Sequence, residues 1–366
     1  MQNMACRYRF ILIFFFVNQL MFSQNSKKYI DSIRQAFHIP EVSYAVINEK
    51  NIKNIGTLGF HAVNLKDSAT LNDRFHIGSN TKAMTAFLIA KYVEKGKLEW
   101  NTKFFDLFPE WKNESRKEYY NITLEELLSH RAFIQPFQGE NDPQIPNFEG
   151  TKAVKRQQFG KFVLTLAPSV PDSDHPYVYS NAGYTLAALM VEKVTQKSWE
   201  ELMDKVFNTD LKLNIKLSWP ENQKAKDTWG HSFENGQLLP IPSTTDYHLD
   251  YTEPAGDLNI KLPDYIKFIQ MNLKGLKGKN NYLKTSTYQY IHNHFPQYSM
   301  GWYNITEKNI HWSNHSGTAG TYYTLVHMDK TNNIAYIIFT NSFNEETTSG
   351  VRLMMRYLKQ NYNPDH

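Results

Sequence analysis

Cysteine is almost absent from this chain. Its 366 residues hold one, Cys6, close to the N-terminus. A framework of disulfides is excluded, and so is any paired C-x-x-C metal or redox site. Charge excess is missing too. Forty basic residues face 36 acidic ones, for a formal charge of +4, which is far too balanced for electrostatic binding of nucleic acid. The sequence has no Gly-rich phosphate loop and no dinucleotide fingerprint. Its thirteen histidines are scattered, with no H-E-x-x-H or comparable ligand spacing, so neither a metal nor another cofactor is expected. Internal repeats, low-complexity tracts and obvious linkers are also lacking. What remains is ordinary globular composition, 41% apolar and 21% charged, in a chain long enough for one large domain or two lobes.

The first residues read as a targeting segment. Arg7 and Arg9 form a basic start, and Phe10 to Val17 is an unbroken apolar run. Eight residues are too few to span a bilayer but suit the core of a signal peptide. Cleavage is expected near Phe22-Ser23-Gln24-Asn25, which gives a signal peptide over 1–23 and a domain over 24–366. An uncleaved anchor is the other reading. Cys6 precedes the apolar run, so it is not placed as a lipoprotein cysteine would be. Cleavage would remove it with the two arginines, leaving no thiol nucleophile and lowering the formal charge from +4 to +2. The expected location is periplasmic or secreted.

The most informative stretch is Ser79-Asn80-Thr81-Lys82, the only S-x-x-K in the chain. An apolar piece, Phe75-His76-Ile77, leads into a small-residue turn, and a helical pattern follows. Three residues apart on a helix, Ser79 and Lys82 share a face. The first turn of that helix presents unpaired N–H groups and the positive end of its dipole, which favour developing negative charge. A serine hydroxyl needs a base to become a nucleophile, and a lysine whose pKa is depressed by burial can be that base. Taken alone, the pair equally fits an N-cap serine with a solvated lysine one turn later.

Two further motifs accompany it. Tyr179-Ser180-Asn181 stands just before a helical pattern, and its Tyr and Asn, two apart on an extended piece, project to the same side. A phenol near a lysine can carry a proton, and an amide can hold a substrate amide by donor and acceptor together. Tyr-x-Asn recurs at Tyr119-Tyr120-Asn121, and a half-buried tyrosine with Asn181 as N-cap explains the motif equally well. The second motif is His315-Ser316-Gly317-Thr318-Ala319-Gly320. Its small residues let a backbone approach a ligand, and backbone N–H groups there can donate to an oxyanion. A Gly-rich hairpin loop is the plain reading.

The layout is mixed. Val42 to Ala62 reads as two strands turning around Asn48–Asn51. Helices are expected at Thr81–Lys95, Thr123–Leu128, where a capping box opens the segment, Ala182–Gln196, Asp264–Leu273 and Glu345–Lys359. Strands are expected at Met300–Tyr303, Ile310–Trp312, Thr321–Met328 and Ile334–Phe339. Strands near both ends with helices between them imply an α+β fold: one antiparallel sheet of N- and C-terminal strands flanked by helices, with a mostly helical lobe, about 80–290, inserted.

Together the three motifs resemble the serine β-lactamases and penicillin-binding D,D-peptidases, in particular the class C β-lactamase-like branch. S-x-x-K is a signature of that superfamily. The order S-x-x-K, Y-x-N, then a K-T-G-like triplet matches. So do the blocks Phe75-His76-Ile77-Gly78, Leu127-Leu128-Ser129-His130, Tyr179–Tyr184 and Pro254-Ala255-Gly256-Asp257-Leu258, so that the likeness covers about residues 40 to 360. The resemblance implies Ser79 as the acylated nucleophile, Lys82 as its activator, Tyr179 as second proton carrier and Asn181 as substrate contact. It implies an oxyanion hole from the N–H groups of Ser79 and Thr318, with His315, Ser316 and Gly317 beside the bound substrate.

Two departures stand out. His315 takes the place of the K-T-G lysine, so a fixed ammonium becomes an imidazole, expected to grip a carboxylate only as pH falls. And where the family often has L-L-S-H-T-S-G-L, this chain has Leu127-Leu128-Ser129-His130-Arg131-Ala132-Phe133-Ile134. The expected activity is that of an exported serine hydrolase acting through an acyl-enzyme on a D-amino-acid peptide, as a D,D-carboxypeptidase does, or on a small ester. The other expectation is a penicillin-binding-like protein that recognises cell-wall peptides with little turnover. An α/β-hydrolase lipase is disfavoured, because Gly78-Ser79 is not followed by the glycine of a G-x-S-x-G elbow.

Overall fold

The computed structural model describes residues 25–139, 142–221, 227–242 and 249–362. The expected signal segment, 1–23, lies outside them. A helix over residues 25–36 (α1) leads into two strands, β1 (Glu41–Asn48) and β2 (Ile52–Gly59). After a short strand β3 (Arg74–His76) comes α2 (Thr81–Glu94), then the small helices α3 (Phe104–Leu107) and α4 (Leu124–Leu128). Longer helices α5 (Lys152–Thr165) and α6 (Asn181–Thr195) follow, and then α7 (Trp199–Met203). Next are β4 (Lys216–Leu217), the hairpin β5 (Gly230–Glu234) and β6 (Gln237–Ile241), α8 (Glu253–Gly256), β7 (Leu258–Lys261), α9 (Leu262–Leu276) and α10 (Thr285–Asn293). The chain closes on β8 (Tyr303–Glu307), β9 (Ile310–Thr318), β10 (Tyr323–Asp329), β11 (Ile334–Thr340) and α11 (Glu345–Tyr362).

The N- and C-terminal strands form one six-stranded sheet in the order β2-β1-β11-β10-β9-β8, and every neighbouring pair is antiparallel. Alternation along the central strands divides the core in two, because successive side chains of a strand face opposite ways. Val42, Tyr44 and Val46 of β1 join Tyr336 and Ile338 of β11 against Val351, Met354 and Leu358 of α11 and Ile30 of α1. Ala45, Ile47, Ile337 and Phe339 point to the other face, where α9 packs against both strands. Buried on both sides, β1 and β11 read as continuous apolar runs rather than alternating ones.

The fold is the expected α+β arrangement, with helices between the two sets of strands. The expected helices all form, with ends shifted by up to three residues. Ser180, not Asn181, caps α6: its hydroxyl accepts from the Gly183 N–H at 2.9 Å, and Asn181 becomes the first helical residue. The expected strand at Met300–Tyr303 begins only at Tyr303, after Gly301 at φ +81°. Helix α5 carried no sequence signal. It is polar along most of its length and buries only a narrow stripe, which includes Phe159, Val163 and Leu164.

Candidate active site

Ser79 lies in a tight turn, Gly78–Asn80, between β3 and α2. Three backbones meet there. Ile77 N–H donates to the Leu258 carbonyl of β7 at 2.9 Å. Thr324 of β10 donates its hydroxyl to the Ile77 carbonyl at 3.0 Å and accepts from Asn80 Nδ2 at 2.8 Å. The end of β9 passes directly over the turn. A Cβ on Gly317 would lie 1.9 Å from the Ile77 carbonyl oxygen and 2.8 Å from Ser79 N. A Cβ on Gly78, itself at φ +47°, would lie 2.4 Å from Thr318 N. Glycine at both positions is what brings the Ser79 and Thr318 segments together.

Lys82 enters from the first turn of α2 and is fully buried. Its Nζ lies 3.1 Å from Ser79 Oγ, 2.7 Å from Asn181 Oδ1 and 2.9 Å from the Ala255 carbonyl. Asn181 Nδ2 donates to the Phe137 carbonyl at 2.8 Å, which fixes the amide so that its oxygen faces the lysine. The Ala255 segment is held in turn: Thr85 donates to the Pro254 carbonyl at 2.7 Å and Thr185 to the Tyr251 carbonyl at 2.8 Å. Among the described residues no carboxylate pairs with the ammonium, and burial drives its pKa well below the usual lysine value.

Tyr179 is half-buried, and its hydroxyl shares a hydrogen bond with Ser79. Its ring sits under Lys82, with Nζ 4.6 Å from the centroid. Burial pushes the phenol pKa well above its usual value, and neighbouring tyrosines add to this. His130 fixes the backbone on both sides of it. The His130 carbonyl accepts from Val178 N–H at 3.0 Å, and its ring Nδ1 accepts from Ser180 N–H at 3.1 Å. His130 itself adopts φ +64°, an uncommon conformation for a non-glycine residue.

His315 is placed differently from the expectation that it faces a substrate carboxylate. It is 2% exposed. Its Nδ1 lies 2.6 Å from the Ser316 carbonyl, so that nitrogen carries the proton. Nε2 is then an acceptor, and Tyr298 donates its hydroxyl to it at 3.2 Å. Burial, with Lys82 nearby, pushes the imidazole pKa down to about 3. The ring is neutral and turned to Tyr298, so the expected gain of charge as pH falls through the neutral range is not open to it. Ser316 has its side chain bonded to Tyr323.

The loop after α4 also departs from the expected small turn. Arg131 donates to the carbonyls of Ser129 at 3.0 Å, Tyr298 at 2.7 Å and Pro296 at 2.8 Å, and its guanidinium lies 4.4 Å from the Phe295 ring. It holds the loop that carries Tyr298.

A cleft of about 360 Å³ opens on Ser79, Asn181 and Thr318. Its remaining walls are Ala319 and Gly320, which end the motif that begins at His315, with Gln138, Leu249, Thr252, Gly256 and Phe343. Gly256 belongs to the Pro254–Leu258 block, which was noted without a role, and nothing in the sequence pointed to Phe343. Among the described residues, no three His, Cys, Asp or Glu side chains come together in a way that could hold a metal ion.

The fold is the β-lactamase fold. The beta-lactamase family profile matches residues 27–357, and the chain belongs to that family. Among curated proteins it is 23% identical over 325 residues to Protein flp of Staphylococcus aureus strain N315, covering 87% of this chain and 63% of that protein's length. Among solved structures, a class C beta-lactamase aligns with a TM-score of 0.72 at 16% identity, over 93% of this chain and 97% of the other. The D-amino acid amidase of Ochrobactrum anthropi SV3 aligns with a TM-score of 0.68 at 18% identity, over 93% of this chain and 99% of the other.

Proposed function

We propose that the protein is an acyl-transfer hydrolase in which Ser79 is acylated and neutral Lys82 is its base. The observation that carries this is the set of partners around Lys82 Nζ. Asn181 Oδ1 and the Ala255 carbonyl can only accept, so they take two N–H bonds. A neutral amine has two, and its lone pair is left facing Ser79 Oγ at 3.1 Å. Desolvation favours that neutral form, while the raised pKa of Tyr179 keeps the phenol protonated. The two groups are thus poised as base and acid rather than as two rival bases.

The steps follow from these positions. Ser79 Oγ attacks an ester or amide carbonyl, and its proton goes to Lys82 as the new C–O bond forms. The oxyanion is held by the N–H groups of Ser79 and Thr318. Tyr179, hydrogen-bonded at the same oxygen, protonates the leaving group as its bond to the acyl carbon breaks, and the proton on Lys82 replaces it. Water then attacks the acyl-enzyme by the same route in reverse and releases the acid. Asn181 is shared between Lys82 and the cleft, where it contacts the substrate. The neutral, enclosed His315 offers no charge to a carboxylate, which favours esters and amides over β-lactams and over peptides ending in a free D-amino acid. Export by residues 1–23 is part of this proposal.

The test is direct. The purified protein is incubated with a reporter β-lactam, a D-Ala-D-Ala peptide and a p-nitrophenyl ester, and the acylated residue is identified by mass spectrometry. Acylation of Ser79 with ester turnover is expected, and Ser79→Ala should lose both by several orders of magnitude with its fold intact. Acylation persisting in Ser79→Ala refutes the assignment. Labelling of Ser79 without turnover of any substrate favours a recognition protein instead.

A further inference from the structure

The lining of the cleft beside Ser79 is of two kinds. Asn181 and Gln138 supply amides, and Leu249 and Phe343 supply apolar surface. Gly256, Ala319 and Gly320 add small residues to the same lining. A Cβ on Gly256 would come within 2.9 Å of Leu249 Cδ1, so the leucine leans over a position that glycine keeps clear. None of the described residues lining this cleft is charged.

Phe343 is held where it is. It follows β11 directly, where Ser342 Oγ and Thr347 Oγ1 are 2.9 Å apart in a buried hydrogen bond. Its ring stands 5.6 Å from that of Tyr323 at an interplanar angle of 31°. Tyr323 sits opposite Thr318 in the ladder between β9 and β10 and is hydrogen-bonded to Ser316. The aromatic pair is therefore fixed to the strand that bears the second oxyanion donor.

Which half of the substrate would lie there follows from the proton route. The leaving group departs toward its acid, Tyr179. Neither Tyr179 nor the residues behind it, Tyr298 and His315, line this cleft. The acyl half remains on Ser79 and is the half that the cleft can hold.

We infer that Phe343 and Leu249, which line the same cleft as Ser79, form an acyl pocket, and that the substrate carries an uncharged acyl group with a bulky apolar substituent, aromatic or branched. This rests on the assignment of Ser79 and Tyr179 proposed above. Phe343 is a specificity-determining residue in it.

The experiment compares two ester series. In the first, p-nitrophenyl acetate, butyrate and phenylacetate vary the acyl group with one leaving group. In the second, acetates of phenol and 4-tert-butylphenol vary the leaving group with one acyl group. The wild type should prefer phenylacetyl to acetyl by about tenfold or more in kcat/KM, the scale on which a hydrophobic pocket discriminates. Phe343→Ala should reduce that preference about tenfold, and Phe343→Leu should fall between. Neither should change the preference within the leaving-group series. Melting curves establish that the variants are folded, and Phe343→Leu is read alone if the alanine variant is not. An acyl preference untouched by these substitutions, or a change confined to the leaving-group series, overturns the pocket. If no ester acylates Ser79 in the wild type, the assignment of Ser79 falls, and the pocket with it.

Discussion

Gly317→Ala adds one methyl group at the closest approach in the site. Its Cβ would stand 1.9 Å from the Ile77 carbonyl oxygen, with Ser79 N at 2.8 Å and Asn80 N at 2.9 Å. All three are backbone atoms, so no side chain can rotate away. Ordinary contact begins at 3.4 Å, so going from 1.9 to 3.4 Å requires β9 and the nucleophile turn to part by about 1.5 Å. Thr324 resists this, because it is bonded to the Ile77 carbonyl and to the Gly317 carbonyl at once, at 3.0 and 3.3 Å. A misplacement of about 1 Å costs on the order of 10² in rate, and loss of one oxyanion donor costs about 10² to 10³. Acylation of Ser79 by a p-nitrophenyl ester should therefore fall by about 10³ or more. Lys82 and Tyr179 are not touched by the substitution, so the pH dependence of the residual rate should keep its shape. The assay is burst kinetics with mass spectrometry of the acyl-enzyme, and a melting curve to show that the variant is folded. A folded variant within about tenfold of the wild-type rate would refute the close approach of β9 to the turn, and with it the oxyanion hole.

Three further outcomes are expected. The acylation rate should rise with pH through an inflection well below the usual lysine value of about 10.4, because the base is the deprotonated amine; it should fall about tenfold per pH unit beneath that inflection. Lys82→Ala and Tyr179→Phe should each lower acylation by about 10² or more, and the double variant should lose clearly less than the product, as measured by a double-mutant cycle. Because the His315 pKa lies at about 3, binding of carboxylate-bearing inhibitors should be flat between about pH 6 and 8, and His315→Lys should lower the melting temperature by placing an ammonium in a closed site beside Lys82.

How much of this was legible in the sequence depended on whether a residue acts locally. Ser79 and Lys82 are one helical turn apart, so their meeting follows from spacing alone, and the 3.1 Å separation is what that spacing allows. Thr123 and Glu126 form their capping box for the same reason. The core strands were legible because burial on both faces writes continuous apolar runs such as Ile334–Phe339. The Ala255 carbonyl was not legible as a partner of Lys82, because a backbone acceptor leaves no mark in a side-chain pattern. Its neighbours Pro254 and Gly256 drew notice only as a family block. Phe343 was missed because one aromatic residue after a strand is ordinary, and its place in the cleft that opens on Ser79, far away in sequence, is set by the closed fold. Helix α5 was missed because its buried stripe is narrow and interrupted by Arg156.

The two departures from the family pattern are far apart in sequence, at 131 and 315, yet they belong to one arrangement. A lysine at 315 would carry three donors and no acceptor, so it would need no donor behind it. An imidazole there has two nitrogens to satisfy in a site that is 2% exposed. The Ser316 carbonyl takes the proton of one, and the other needs a donor, which Tyr298 supplies. Tyr298 comes from the irregular stretch between α10 and β8, where an isolated antiparallel bridge to Tyr303 fixes it on one side. Arg131 does so from the opposite side by donating to the Tyr298 and Pro296 carbonyls. A threonine or serine at 131 is too short to reach two such carbonyls and bears no planar fork of donors. The same loop takes its sharp bend at Phe133, φ +53°, where the family pattern has glycine. That strain, of order 1 kcal/mol, is borne by a backbone whose Phe133 carbonyl accepts from Ser169 N–H at 2.8 Å. The histidine, the tyrosine and the arginine are thus linked in a chain of requirements, and replacing one without the others leaves a buried donor or acceptor unpaired. This is why the loss of a lysine from the motif does not read as decay of the site. It is accompanied by the residues that make a neutral wall in its place.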